Sequence, residues 1–181
     1  MKQNERELRH QSVMQAVGQM MLAARTAPKG KGIDILEIVA IDGADLERLA
    51  QEMERQADLQ NMKFFLRDAL NIRQAEALVL IGTRSQPLGM NCGYCGFATC
   101  DLKSAATPCA INTIDVGIAL GSACATAADY RLDTRVMFSA GFSAQQLHWL
   151  HACHQTIAIA VSASAKNPFF DRKPKETPLS K

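Results

Sequence analysis

The stretch "AARTAPKGKGIDILEIVAI" (residues 23–41) carries the first decision about the fold. It joins two kinds of pattern. Upstream, Val13, Ala16, Val17, Met20, Met21 and Ala24 recur at spacings of three and four, so residues 5–26 read as an amphipathic helix. Pro28, Gly30 and Gly32 break that period. Downstream, "ILEIVAI" (35–41) is a short β-branched run and reads as a strand. Helix, sharp break and strand is the opening of an α/β domain.

The rest of the chain continues the alternation. "DGADLERLAQEMERQA" (42–57) is an amphipathic helix with Leu46, Leu49 and Met53 on its apolar side, and "MKFFLRDAL" (62–70) a short second one. "EALVLIG" (76–82) is a strand. A helix rich in small residues, "INTIDVGIALGSACATAADYRLD" (111–133), has Asn112 as its expected N-cap and Asp115 in its first turn. "RVMFSAG" (135–141) reads as a strand. Ser143 and Gln146 form a capping box for a helix over "SAQQLHWLHACHQ" (143–155), and "TIAIAVSAS" (156–164) is the last strand. The expected class is α/β (α+β), a mixed sheet flanked by helices.

Composition narrows the function classes. The chain has 181 residues, enough for one domain with a substantial core. A net charge of +2 gives no basis for binding nucleic acid or an anionic membrane. The N-terminal "MKQNERELRH" has no apolar signal core, and no run of about 20 apolar residues is evident in the sequence, so a cytoplasmic protein is expected. In that reducing setting six cysteines are free thiols or metal ligands rather than disulfides. The C-terminal "DRKPKETPLSK" reads as a solvated tail. There is no G-x-G-x-x-G, P-loop or nucleophile elbow.

Between the second strand and the small-residue helix lies "NCGYCGFATC" (91–100), followed by Cys109. The spacing is Cys92-x2-Cys95-x4-Cys100-x8-Cys109. Four thiolates are what a [4Fe–4S] cluster requires, one per iron. Gly93 and Gly96 permit unusual backbone angles beside the sulfurs. Structural zinc is the competing metal, but it usually takes two C-x2–4-C hooks, and one is present. Unliganded core thiols are a third reading. Cys124, within "GSACATA", is the alternative fourth ligand, although it and Cys153 read first as core thiols. His148, His151 and His154 would share a broad side of a helix, with surface or interface roles expected in the absence of an H-E-x-x-H pattern. Trp149 reads as packing.

The cysteine stretch resembles the four-iron domain of corrinoid iron–sulfur proteins and of some membrane ferredoxin oxidoreductase subunits, in which Cys92, Cys95 and Cys100 have direct counterparts. The fourth cysteine of that motif normally lies about twice as far on as Cys109. Residues 23–41, together with "IDVGIALGSACATAADYRLDTRVMFSAGF" (114–142), resemble nitroreductase-type flavoproteins. The combination resembles a bacterial ferredoxin domain-containing family of unknown function. The resemblance implies a nitroreductase-like core over 1–82 and 112–168, an inserted [4Fe–4S] loop over 83–111 and a tail over 169–181. It implies electron transfer with a protein or small redox partner, a flavin-linked oxidoreductase activity if FMN binds, and a homodimer. The flavoproteins' Ser and Asn after "AP" are Lys29 and Gly32 here, and their Pro-Trp pair is Ile35-Leu36. These departures remove the most direct flavin contacts of that family, and Arg25, Lys29 and Lys31 read either as point charges for an FMN phosphate or as a solvated basic turn.

Overall fold

A computed structural model describes residues 2–170. The first helix, α1 (Glu5–Thr26), is capped at its start by the Asn4 side chain, which accepts from the Arg6 amide at 3.1 Å. A single 3-10 turn (Gly30–Gly32) leads into β1 (Leu36–Asp42). The chain returns through α2 (Ala44–Leu59) and α3 (Phe64–Ile72) to β2 (Ala77–Arg84). A long loop follows, then α4 (Ala110–Asp129), β3 (Asp133–Met137), α5 (Phe138–Gln146) and β4 (Cys153–Ser162).

The strands form one sheet in the order β1-β2-β4-β3. Side chains alternate across it, and this alternation builds two cores. Ala77, Val79 and Ile81 of β2 with Ile159 and Val161 of β4 pack beneath α1 and α4 through Val17, Met20, Ala119 and Ala123. Leu78 and Leu80 with Ala158 and Ala160 face α2, α3 and α5 through Leu49, Met53, Phe65 and Ala140. The result is a three-layer sandwich, which is why the central strands are apolar on both faces.

Three expectations are corrected. Every pairing among the described strands is antiparallel, where a mixed sheet was expected. The cause is connectivity: α2 and α3 form a pair between β1 and β2, so the chain re-enters the sheet in the reverse direction. Next, β3 ends at Met137, and the segment expected to finish it is the first turn of α5. Ser143 is therefore a buried interior residue of α5 rather than its cap. The helix stops at Gln146, and His148 (φ 58°) and Ala152 (φ 62°) adopt left-handed turns before β4 begins at Cys153. The three histidines consequently do not share a helix face. Finally, α4, with 20 residues, is long and apolar enough to cross a membrane by length and composition alone. Here it is a flanking helix whose buried side chains lie against α1 and the sheet.

Candidate iron–sulfur site

The cysteine loop leaves the end of β2 and is pinned where it starts. Asn112, in the first turn of α4, is not the N-cap expected of it. It is buried, and its Nδ2 donates to the carbonyls of Arg84 (3.4 Å) and Gln86 (3.0 Å). Cys109 occupies the N-cap position, and its carbonyl accepts from the Thr113 amide and hydroxyl, both at 3.1 Å. Thr113 Oγ1 also lies 2.7 Å from Gln155 Oε1, tying this end of α4 to β4. The 3-10 turn packs alongside. A Cβ on Gly30 would fall 2.7 Å from Ile111 Cγ2 and 2.8 Å from Leu88 Cδ1, so this glycine permits the close approach.

Within the loop the backbone staples itself. The Gly96 amide donates to the Gly93 carbonyl at 2.9 Å, with both glycines left-handed (φ 88° and 74°). The Cys100 amide donates to Asn91 Oδ1 at 2.8 Å, and the Asn91 amide donates to Cys100 Sγ at 3.4 Å. Further on, Lys103 Nζ donates to the carbonyls of Thr107 (2.6 Å) and Ser104 (2.9 Å). Cys92 is exposed, and Cys95, Cys100 and Cys109 are half-buried. Among the described residues no three His, Cys, Asp or Glu side chains are gathered as a metal-binding group, so the thiols share one segment without forming a closed cage. All six cysteines are free thiols.

The structure separates Cys124 from this segment. It lies roughly four turns, about 22 Å, along α4 from Cys109. Burial raises its pKa, as expected of a core thiol. Cys153, paired across the sheet with Arg84, sits at the loop's end of the sheet. Burial pushes its thiol up to about 11, with Glu37 adding to the effect. Such a thiol resists becoming the thiolate that ligates metal.

The cations expected at an FMN phosphate are already engaged. Arg25 Nη1 donates to Asp34 Oδ2 (2.7 Å) and to the Leu36 carbonyl (2.9 Å). Lys29 Nζ donates to the carbonyls of Ala24 (2.9 Å), Arg25 and Ala27 (2.8 Å), closing the C-terminal end of α1. An ammonium has three protons, and these three carbonyls use them. Burial holds the Lys29 pKa below the ordinary lysine value. Lys31 Nζ donates to the Leu88 carbonyl at 3.1 Å. The Gly30 amide, another group that could meet a phosphate, donates to both oxygens of Asp115 (3.0 and 3.1 Å). Lys29 thus has its three protons committed to carbonyls, while the bonds of Arg25 use Nη1 and leave Nη2 and Nε without a partner among the described residues.

The chain is thus a three-layer sandwich with an antiparallel sheet and a four-cysteine loop that enters one helix. The sequence family described as "Uncharacterized protein containing a ferredoxin domain" matches residues 105–172. An uncharacterized protein of Archaeoglobus fulgidus is 39% identical over 183 residues, covering 96% of this chain and 98% of that protein. The chain belongs to this ferredoxin domain-containing family. Among solved structures it is similar to B. megaterium NfrA2 (TM-score 0.56, 15% identity, 89% of this chain) and spans 61% of that protein's length. It is likewise similar to a putative nitroreductase from Desulfovibrio desulfuricans, solved in complex with FMN (TM-score 0.56, 16% identity, 88% of this chain and 79% of that one). At these identities the likeness shows the fold.

Proposed function

We propose that this protein is a redox protein that holds a [4Fe–4S] cluster on Cys92, Cys95, Cys100 and Cys109. The observation that carries the reading is the loop itself: four soft thiol donors on one self-stapled segment, ending at the N-terminus of α4, in a chain of the ferredoxin domain-containing family. Bound there, the cluster would supply one-electron transfer. The chain's own contribution is positioning. Left-handed turns at Gly93 and Gly96 orient the first two thiols, and the positive end of α4 favours negative charge at Cys109. The exposed Cys92, Tyr94 and Leu102 leave the site open to an electron-donating or electron-accepting partner.

The test is anaerobic reconstitution followed by a spectrum and iron and sulfide analysis. A broad band near about 400 nm that bleaches with dithionite, with roughly four irons per chain, is the expected result. A colourless protein with stoichiometric zinc would establish the alternative, a structural zinc module on the same scaffold. FMN is the finer proposal, supported by the FMN complex of the Desulfovibrio relative in fold. Because Lys29 and the Gly30 amide are engaged, a flavin phosphate here would be met by the remaining N–H groups of Arg25 and by Lys31. Resolved bands near about 375 and 450 nm after FMN titration would report it. We also propose a homodimer in a reducing compartment, supported by Ile114 and Ile118 exposed on the small-residue helix α4. Sedimentation velocity checks it.

A further inference from the structure

Among the described residues of the cysteine loop, the one non-glycine residue with a left-handed backbone stands just before the first cysteine. Asn91 adopts φ 50°, the left-handed region, which Asn tolerates better than most residues with a side chain. This bend places two of its groups against one residue. Its backbone N–H reaches Cys100 Sγ at 3.4 Å, within the distance for a hydrogen bond to sulfur. Its side-chain Oδ1 accepts from the Cys100 backbone N–H at 2.8 Å. The two bonds run in opposite directions between the same pair and close the segment that carries Cys92 and Cys95.

We infer that Asn91 is a positioning residue for the cysteine site, fixing Cys100 and supplying an N–H donor to its sulfur. This rests on the cluster reading above. An amide donor withdraws charge from a ligating thiolate, so it favours the reduced, more negative state and raises the reduction potential. The side-chain bond holds the Cys100 backbone, and hence its sulfur, where that amide can reach it. Three features must coincide at position 91: a left-handed backbone, a short side-chain acceptor and a backbone N–H. Glycine supplies the first and third. Aspartate supplies all three but adds a charge.

The experiment compares wild type, Asn91→Gly and Asn91→Asp after anaerobic reconstitution. Iron and sulfide content, resistance of the cluster to a chelator, and midpoint potential followed by EPR are measured. Amide hydrogen exchange at Cys100 in the metal-free chain supplies a readout that needs no cluster. Asn91→Gly is expected to bind iron about 10–100-fold more weakly, as loss of a ligand's supporting hydrogen bond does. It should also show a more negative potential and faster exchange at Cys100. Asn91→Asp should restore retention and slow exchange, while its charge keeps the potential below that of wild type. If Asn91→Gly matches wild type in retention, potential and exchange, the inference is overturned and the cluster reading stands. If Asn91→Asp loses iron as readily as Asn91→Gly, the acceptor role is overturned, whether or not the glycine variant folds well. A wild-type chain that takes up no cluster overturns both readings.

Discussion

Asp115 shows how a single buried carboxylate can change meaning between sequence and structure. In the sequence it is a first-turn acid at a helix N-terminus. In the fold it is 2% exposed and accepts the Gly30 amide with both oxygens. Burial raises its pKa above 3.8, and the Gly30 bond offsets only part of that. The folded state therefore retains this proton to higher pH than the unfolded chain does. Ionising the group costs stability, and the cost grows as pH rises from the unfolded value through the raised folded one. Asp115→Asn keeps an oxygen for the Gly30 amide and removes the titration. Its stability relative to wild type should rise from acid to neutral pH and then stay level. Asp34 and Glu52, whose pKa values are lowered, slope the other way but are present in both proteins and cancel in the difference. Urea melts at several pH values check it, and a pH-independent difference would contradict the assignment. Cysteines divide at the same scale. Cys109→Ser should lose cluster binding in an anaerobic iron assay, while Cys124→Ser, about 22 Å along α4, should keep it. The reverse pattern would move the fourth ligand.

The elements separate what sequence reveals from what packing decides. Helices α1 and α2 were legible because their apolar positions follow the helical period, and Pro28 and Gly30 mark the end of α1. The region from 135 to 155 was not. "RVMFSAGF" is mostly apolar with no clear period and fits either strand or helix, and what bears on it is Gly141. A Cβ there would stand 2.1 Å from the Thr156 carbonyl oxygen and 2.7 Å from Ile157 Cα, both backbone of the central strand β4. The contact is between α5 and a strand fifteen residues on in sequence, so no local pattern announces it. His148 and Ala152 likewise continue a helical-looking pattern but sit in left-handed turns. In the loop, the spacing of the cysteines made the candidate site legible. The Asn91 contacts to Cys100 and the engagement of Lys29 by carbonyls were not, because both depend on backbone direction. Gly141→Ala should therefore destabilise by about 3 kcal/mol, the upper range of overpacking. Gly121→Ala, on α4 with nothing within 4 Å of the new methyl, should stabilise by about 0.5–1 kcal/mol through helix propensity. Chemical denaturation of the pair measures both, and equal effects would contradict the packing of α5.

Across the whole molecule, the cysteine loop and the cores are separate. The residues that build the two cores come from the helices and strands together with Ala27, Leu150 and Phe169 of the connections, and none of Cys92, Cys95, Cys100 or Cys109 is among them. The loop attaches through Leu88, Asn112 and the Gly30 turn, contacts that involve no thiol. This differs from a small zinc domain, in which metal binding supplies the folding free energy. The chain should therefore stay folded when the cluster is removed. A variant with all four loop cysteines changed to serine should keep its far-UV circular dichroism and a single cooperative melt. Its near-UV signal should also persist, because Trp149 packs under the Arg48 guanidinium, 5.5 Å from its ring, outside the loop. Substitutions at exposed and half-buried sites of this kind cost about 2 kcal/mol together at most, roughly 4–8 °C in melting temperature. Loss of the cooperative transition would show that the loop is part of the folding core. Retention would mean that the scaffold folds first and presents the loop, so that a cluster held there as proposed could be lost to oxidation while leaving a native chain ready for reloading.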